Sequence, residues 1–316
     1  MGVGQVGSLL AKLLENCGMP IIGFDRKAPF FKLKDIPKFG KRGDILINTA
    51  TPKLNEFLLK LAAKKEMHYI DLASDMKDGK AEQLAFDKIF KRKKLKGVIN
   101  CGLAPGLTNI CISLTLKNEK VVKMRSLEHV ESKVPILLWS PEVCIEDYNA
   151  KPLVYKNGKI IEGDFNSEIY NFPKYGKFRV EPSIHDEVAT VPENLGLEYM
   201  DVKVGGKLGD FERLAASGKK FFLFTPALWK VVVTKMVFEV VFDLGKRKPY
   251  FIVDYKRMAK KNLPGNVITY PAALVASSIV ESFDSLKDGV IAPESLPKNV
   301  KKRVLRKCRK VVVYYF

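Results

Sequence analysis

Met1-Gly2-Val3-Gly4-Gln5-Val6-Gly7, followed by Ser8-Leu9-Leu10-Ala11-Lys12-Leu13-Leu14, is the stretch that decides the fold. Gly2, Gly4 and Gly7 stand at G-x-G-x-x-G spacing, the turn from strand to helix in dinucleotide-binding βαβ units. Gly2 permits the tight turn, Gly4 lets the backbone approach a pyrophosphate, and Gly7 lets the helix pack closely on a sheet. Around Gln5 and Val6 the helix N-terminus then offers N–H groups to phosphate oxygens. Apolar residues follow at helical spacing, at Val6, Leu9, Leu10, Leu13 and Leu14. A second apolar run, Pro20 to Phe24, ends at Asp25, about 20 residues past the glycines, where an acid can bond the adenosine ribose hydroxyls. The competing reading is an ordinary glycine-rich turn with a loop acid. The coincidence of spacing, helix and acid favours the nucleotide. Arg26 stands ready to stack on adenine or meet a 2′-phosphate, so NAD and NADP both stay open. The motif also requires a buried strand before Gly2, where only Met1 stands, and an upstream segment is the expected source of it.

Outward from this turn, strands alternate with helices. Asp44 to Asn48 reads as a buried strand ending in Thr49-Ala50-Thr51-Pro52, followed by a helix over 54–65. His68 to Leu72 is the next strand, ending in Ala73-Ser74-Asp75, followed by a helix over roughly 81–92. Gly97 to Cys101 is a further strand, running into Gly102-Leu103-Ala104-Pro105-Gly106-Leu107-Thr108-Asn109 and a helix over 110–116, which Thr108 or Asn109 can cap. Such alternation means a parallel α/β sheet. Ligands in these sheets lie at strand C-termini. Thr49 to Pro52, Leu72 to Ser74, and Gly102 with Ala104, Pro105 and Gly106 are therefore expected along the cofactor.

Composition bounds the rest. A chain of 316 residues, 47% hydrophobic, can bury a large core and is expected to form two domains. Lys+Arg of 54 against Asp+Glu of 35 gives a net charge of +19, which favours anionic ligands. The densest basic run, Lys298 to Lys310, carries Val300, Val304 and Leu305 at helical spacing and reads as a solvated helix face rather than a nucleic-acid arm. No recognition motif for nucleic acid is present. Five cysteines form no C-x-x-C pair, so neither a metal site nor a disulfide framework is indicated. No apolar stretch reaches the ~20 residues of a membrane span, and no signal peptide is evident, so a cytoplasmic protein is expected.

These segments together resemble the saccharopine dehydrogenase family, most of all lysine 6-dehydrogenases. The likeness rests on the glycine turn, Asn48 to Pro52, Tyr69-Ile70-Asp71-Leu72 and Gly102 to Asn109. It continues through Leu138-Trp139-Ser140-Pro141-Glu142, Ile145 to Tyr148, Pro152 to Val154, Asn157 to Lys159, Gly176 to Phe178, Ile184 to Glu187 with Val191-Pro192, Tyr270 to Glu281 and Gly289 to Glu294. The resemblance implies a Rossmann-type doubly wound sheet over 1–117, whose first strand is the one the residues before Gly2 do not supply. It implies a second α+β domain on an antiparallel or mixed sheet over 118–262, and a closing helix and tail over 263–316 that returns to the first. It further implies NAD(P)-dependent hydride transfer at an amine-bearing carbon of an amino acid, lysine or a lysine adduct. A homodimer is the expected assembly, and the active site is expected between the domains.

The middle of the chain fits a second domain on its own reading. Alternation over 151–161, 177–180 and 200–204 predicts antiparallel strands, as does 250–255, while 229–241 reads as either helix or strand. Oxidising an amine-bearing carbon needs a group that exchanges a proton, and histidine suits it. His185, with Asp186 and Glu187 beside it to orient it or bind an amine, ranks ahead of His129. Each alone reads equally as a hydrogen-bonded structural histidine. Arg125 and Arg179 can hold a substrate carboxylate bidentately or make surface ion pairs. Trp139 is a substrate-wall candidate or a core aromatic. The alternative to an enzyme is a catalytically silent Rossmann-type nucleotide-binding or scaffolding protein.

Overall fold

The structure, a computed structural model, describes residues 2–25, 30–76, 79–132, 136–138, 140, 143, 150–206, 222–223 and 233–316. The chain forms two compact units, one from 1–113 and 272–308, the other from 114–271 and 309–316.

The first unit is a parallel α/β layer. Helix α1 (Gln5–Glu15) buries Gly7, Leu10 and Leu14 on the face the 3.6-residue period selects. Strand β1 (Ile45–Asn48) leads to α2 (Asn55–Lys65), and β2 (His68–Asp71) to a 3-10 turn at Glu82–Phe86 and α3 (Asp87–Arg92). The helix expected over 81–92 is thus split. Strand β3 (Lys96–Val98) feeds the Gly102 turn and α4 (Leu107–Thr115). The sheet runs β1-β2-β3-β12, with β12 (Gly289–Ile291) supplied by the late part of the chain, and every pairing is parallel. Its strands are short and apolar, as a sheet covered by helices requires. The run 20–24 makes only an isolated bridge, Phe24 to Phe31, because no described strand lies beside it to extend a ladder. Helix α6 (Thr269–Val280) buries Ala273, Leu274, Val275, Ala276 and Ile279 completely, and α7 (Lys298–Cys308) buries only Val300, Val304 and Cys308 beneath its basic face.

The second unit is a nine-stranded mixed sheet. Its path is β13-β11-β10-β4-β9-β5-β6: Val312–Tyr315, Tyr250–Asp254, Val233–Asp243, Val121–Ser132, Tyr199–Gly206, Leu153–Lys156 and Lys159–Glu162. The hairpin β7 (Glu168–Phe172) and β8 (Gly176–Pro182) joins through β9. Strands β4 and β9 pair in parallel, all other ladders antiparallel. The stretch read as either helix or strand is a strand from Val233 onward, where the run Met236 to Phe242, rich in valine and phenylalanine, is buried on both faces; 229–232 lie outside the described residues. Helix α5 (Glu187–Leu195) precedes β9 and ends at Gly196 in the left-handed conformation. One sheet face carries Leu127, Val237 and Val241 under the aromatic residues Tyr170, Phe172 and Phe178 of the hairpin.

Candidate active site

The glycine turn is built by close approach. A Cβ at Gly7 would overlap the carbonyl oxygen of Gly2, and one at Gly2 would come within 3.2 Å of Ala50. Thr49 Oγ1 donates to that same Gly2 oxygen at 2.8 Å, so the end of β1 and the start of α1 are tied together. Gly4 differs: a Cβ there would meet nothing within 4 Å. Gly4 is the N-cap of α1 and no side chain caps the helix. An eleven-residue helix therefore starts at open space with its dipole's positive end outward, the setting a phosphate group uses. Asp25 Oδ2 accepts the Val3 N–H at 3.1 Å, which draws the acid to the glycine turn. The residues thus fit a dinucleotide.

The C-terminal ends of the strands carry a buried polar network that the motif reading passed over. Asn48 Nδ2 donates to Thr51 O and to Asn55 Oδ1, fixing the turn into Pro52, and Ala50 N–H bonds back to Asn48 Oδ1. Asn55 Nδ2 donates to Ala73 O and Glu82 Oε1, and Tyr69 Oη to Asn55 Oδ1. Asp71, at 1% exposure, accepts from Asn100 N at 2.7 Å and Gln83 Nε2 at 3.0 Å. Burial pushes its carboxyl up to about 7, against the pull of those N–H donors. Ser74 Oγ donates to Asn100 Oδ1 at 2.8 Å. The signal for this network was a polar residue closing each apolar strand, Asn48 after Ile45-Leu46-Ile47 and Asp71 after Tyr69-Ile70.

The second glycine turn closes the same edge. Gly102 and Gly106 bridge each other, and Gly106 has φ of +127°, where a Cβ would overlap the Gly102 carbonyl. Helix α4 begins at Leu107 rather than at 110, so Thr108 and Asn109 lie inside its first turn and neither is its N-cap. Asn109 Oδ1 instead accepts the N–H of Gly106, just before the helix, at 2.8 Å, and its Nδ2 donates to buried Glu294 at 2.8 Å.

In the second unit the two histidines have different partners. His129 lies on the hairpin side, its ring 5.3 Å from Phe178 and its Nε2 3.1 Å from Glu131. Arg125 is on the same side, 2% exposed, and forks onto both oxygens of Asp201 at 2.9 and 3.1 Å while Nε meets Glu168 at 2.5 Å. Its Nε, Nη1 and Nη2 all donate within the protein, to the two carboxylates and to the Met124 carbonyl. Arg179 is exposed and pairs with Glu181. His185 belongs elsewhere: Nδ1 is 2.8 Å from Glu187, a carboxylate with no exposure. Burial pulls the imidazole down, but the charges of Glu187, Asp186 and Glu128 outweigh it and hold it up at about 9. His185, Asp186 and Glu187 are thus gathered together, while His129, Arg125 and Arg179 have other partners. Trp139 and Arg26 lie outside the described residues.

Homospermidine synthase from Legionella pneumophila in complex with NAD superimposes with a TM-score of 0.76 at 15% identity, over 100% of this chain and 90% of that one. Saccharopine dehydrogenase (L-Glu forming) from Saccharomyces cerevisiae does so with 0.62 at 10% identity, over 100% and 98%. The chain shares their fold. An engineered D-amino acid dehydrogenase bound to NADP+ matches with 0.50 at 13%, over 95% and 93%. No protein-family model and no curated protein matches at the level of sequence. The common fold spans both units, so the mixed sheet is part of the likeness and not only the Rossmann half. Among the described residues no helix is long and apolar enough to cross a membrane.

Proposed function

We propose that the protein is an NAD(P)-dependent oxidoreductase acting at an amine-bearing carbon of an amino acid, with lysine or a lysine adduct as the substrate class. The observation that carries this reading is the uncapped start of α1 over open space at Gly4, with Asp25 drawn to the same turn. Support comes from the fold, shared with two enzymes whose names specify amino-acid or polyamine chemistry. In this reading Gly2, Gly4, Gln5, Val6 and Gly7 hold the pyrophosphate and Asp25 the ribose. Thr49 to Pro52, Leu72 to Ser74 and Gly102 to Gly106 line the nicotinamide half. The cofactor supplies the hydride acceptor when bound; the chain's own task is to bind, orient and manage a proton. His185 is the candidate for that proton. With Nδ1 held by Glu187, Nε2 is left to exchange it, and the imidazole is charged at neutral pH. It therefore serves as an acid toward a leaving amine, or as the cation that steadies a substrate carboxylate, rather than as a resting base. The expected assembly is a homodimer.

Native mass spectrometry of protein purified without added nucleotide, with calorimetric titration of NAD and NADP, tests the cofactor. Reduction of the bound nucleotide in the presence of lysine, saccharopine or related amines tests the reaction. His185→Ala is expected to lower turnover by about 10²–10⁴-fold with nucleotide affinity unchanged. Tight nucleotide binding without turnover on any amine would instead favour the silent nucleotide-binding protein.

A further inference from the structure

We propose that Asp71 is a positioning residue which makes the dinucleotide site favour the oxidised, positively charged nicotinamide, releasing a proton from its carboxyl as that form binds. This rests on the dinucleotide reading above. The geometry comes first. Asp71 holds the entry to the Gly102 turn by two routes: its carboxyl accepts the Asn100 N–H at 2.7 Å and its carbonyl accepts the Cys101 N–H at 2.8 Å. Asn100 sits at φ of +58°, a left-handed conformation that asparagine tolerates better than most residues and that this pair of bonds fixes. Whatever lies along Gly102 to Gly106 is thus placed through Asp71.

The electrostatic setting is unusual for a buried carboxyl. Among the described residues no cationic side chain bonds it; its partners are the Asn100 N–H, the Gln83 amide and the Tyr69 hydroxyl. The ionisable groups that face it are the Tyr69 hydroxyl on its own strand, Glu82 beside Gln83, and the Cys101 thiol past the turn. All are neutral or negative near neutral pH, and buried carboxylates are ordinarily paired. Burial accordingly lifts Asp71 to about 7, so carboxyl and carboxylate coexist there. The surroundings accept either form. Gln83 Oε1 and Asn100 Nδ2 are both buried without a hydrogen-bond partner. Rotation of the Gln83 amide would turn Oε1 to receive the proton of the neutral acid.

A cation seated on the turn supplies the charge this site lacks. It stabilises the carboxylate, so binding expels the proton to solvent; the reduced, neutral ring does not. A unit charge about 10 Å away at an effective dielectric of about 20 shifts such an equilibrium by about tenfold.

The test is calorimetric titration of the NAD+/NADH and NADP+/NADPH pairs between about pH 6 and about pH 8.5, in buffers of different ionisation enthalpy. Wild type should bind the oxidised form several-fold more tightly at the upper end, with proton release at the lower end, where the free carboxyl still carries its proton, and the reduced form with little change. Asp71→Asn should abolish the slope and weaken the oxidised form about tenfold at high pH, with its melting temperature and circular dichroism showing the fold intact. Should that variant not fold, Gln83→Leu takes its place: loss of an N–H donor should move the slope to higher pH. An Asp71→Asn slope equal to wild type, an unmoved Gln83→Leu slope, or an equal slope for the reduced form overturns the proposal alone. Failure of wild type to bind either pair overturns the dinucleotide reading and this proposal with it.

Discussion

Gly4 and Gly7 lie three residues apart in one motif, yet a side chain at each would act in opposite ways. A Cβ at Gly7 collides with Gly2 and must disturb the fold. A Cβ at Gly4 meets nothing, so Gly4→Val should leave the melting temperature within a few degrees of wild type and remove nucleotide binding. Calorimetry with NAD and NADP, alongside a thermal melt, separates the two effects; unchanged affinity would move the phosphate site off this turn. His185 lends itself to a pH measurement. Its pKa rises from the ordinary 6.5 to about 9 in the folded chain. The folded state therefore binds the extra proton, and the pair's stabilisation is full below about pH 6.5 and is lost as pH rises through about 9. Wild type should exceed His185→Gln by on the order of 2–3 kcal/mol at about pH 6, the gap closing by about pH 9.5. Denaturant melts at both pH values check this, and a constant gap would mean that folding leaves the His185 pKa unchanged.

At the level of elements, the hydrophobic pattern was enough to find β1, β2 and β3, because each is buried nearly throughout and a run of apolar residues records that directly. The boundaries of α3 were not legible, since the 3-10 turn at Glu82–Phe86 exists to aim Glu82 and Gln83 at the strand ends and no apolar repeat encodes such aiming. The glycine turns of the site were legible from glycine spacing, while the network beneath them was not. Asn55 reaches Ala73 and Glu82, Gln83 reaches Asp71, and Glu294 reaches Asn109, each across a stretch of sequence that no local pattern spans. The same blindness hid the fate of Arg125, whose partners Asp201 and Glu168 lie on β9 and β7. Asn109 illustrates what such long-range bonds are worth. It joins the start of α4 to Glu294 from the far end of the chain. Asn109→Ala removes bonds to Gly106 and Glu294 in a buried place, and should lower stability by about 2–3 kcal/mol, read as a drop in denaturant midpoint.

On the scale of the whole molecule the excess of basic residues adds a long-range term to any local site. A net charge of +19 attracts a dinucleotide before contact is made. Affinity for NAD should therefore fall as ionic strength rises from about 0.01 to about 0.15 M, over which the screening length shrinks from about 30 to about 8 Å. NADP, with a further phosphate, should fall more steeply; salt-independent affinity for both would exclude the charge excess from binding.

The chain path carries a further consequence, for biosynthesis. The first unit contains 272–308 and the second contains β13 at Val312–Tyr315, so neither is a contiguous stretch. Strand β12 borders β3, and β13 closes one end of the large sheet. On the ribosome, where folding ordinarily proceeds domain by domain from the N-terminus, the first unit must wait for its fourth strand until the second has been almost wholly translated. Its glycine turns and buried carboxyl emerge early but are assembled late, which makes the half-made chain a natural client for whatever shelters exposed apolar strands during synthesis.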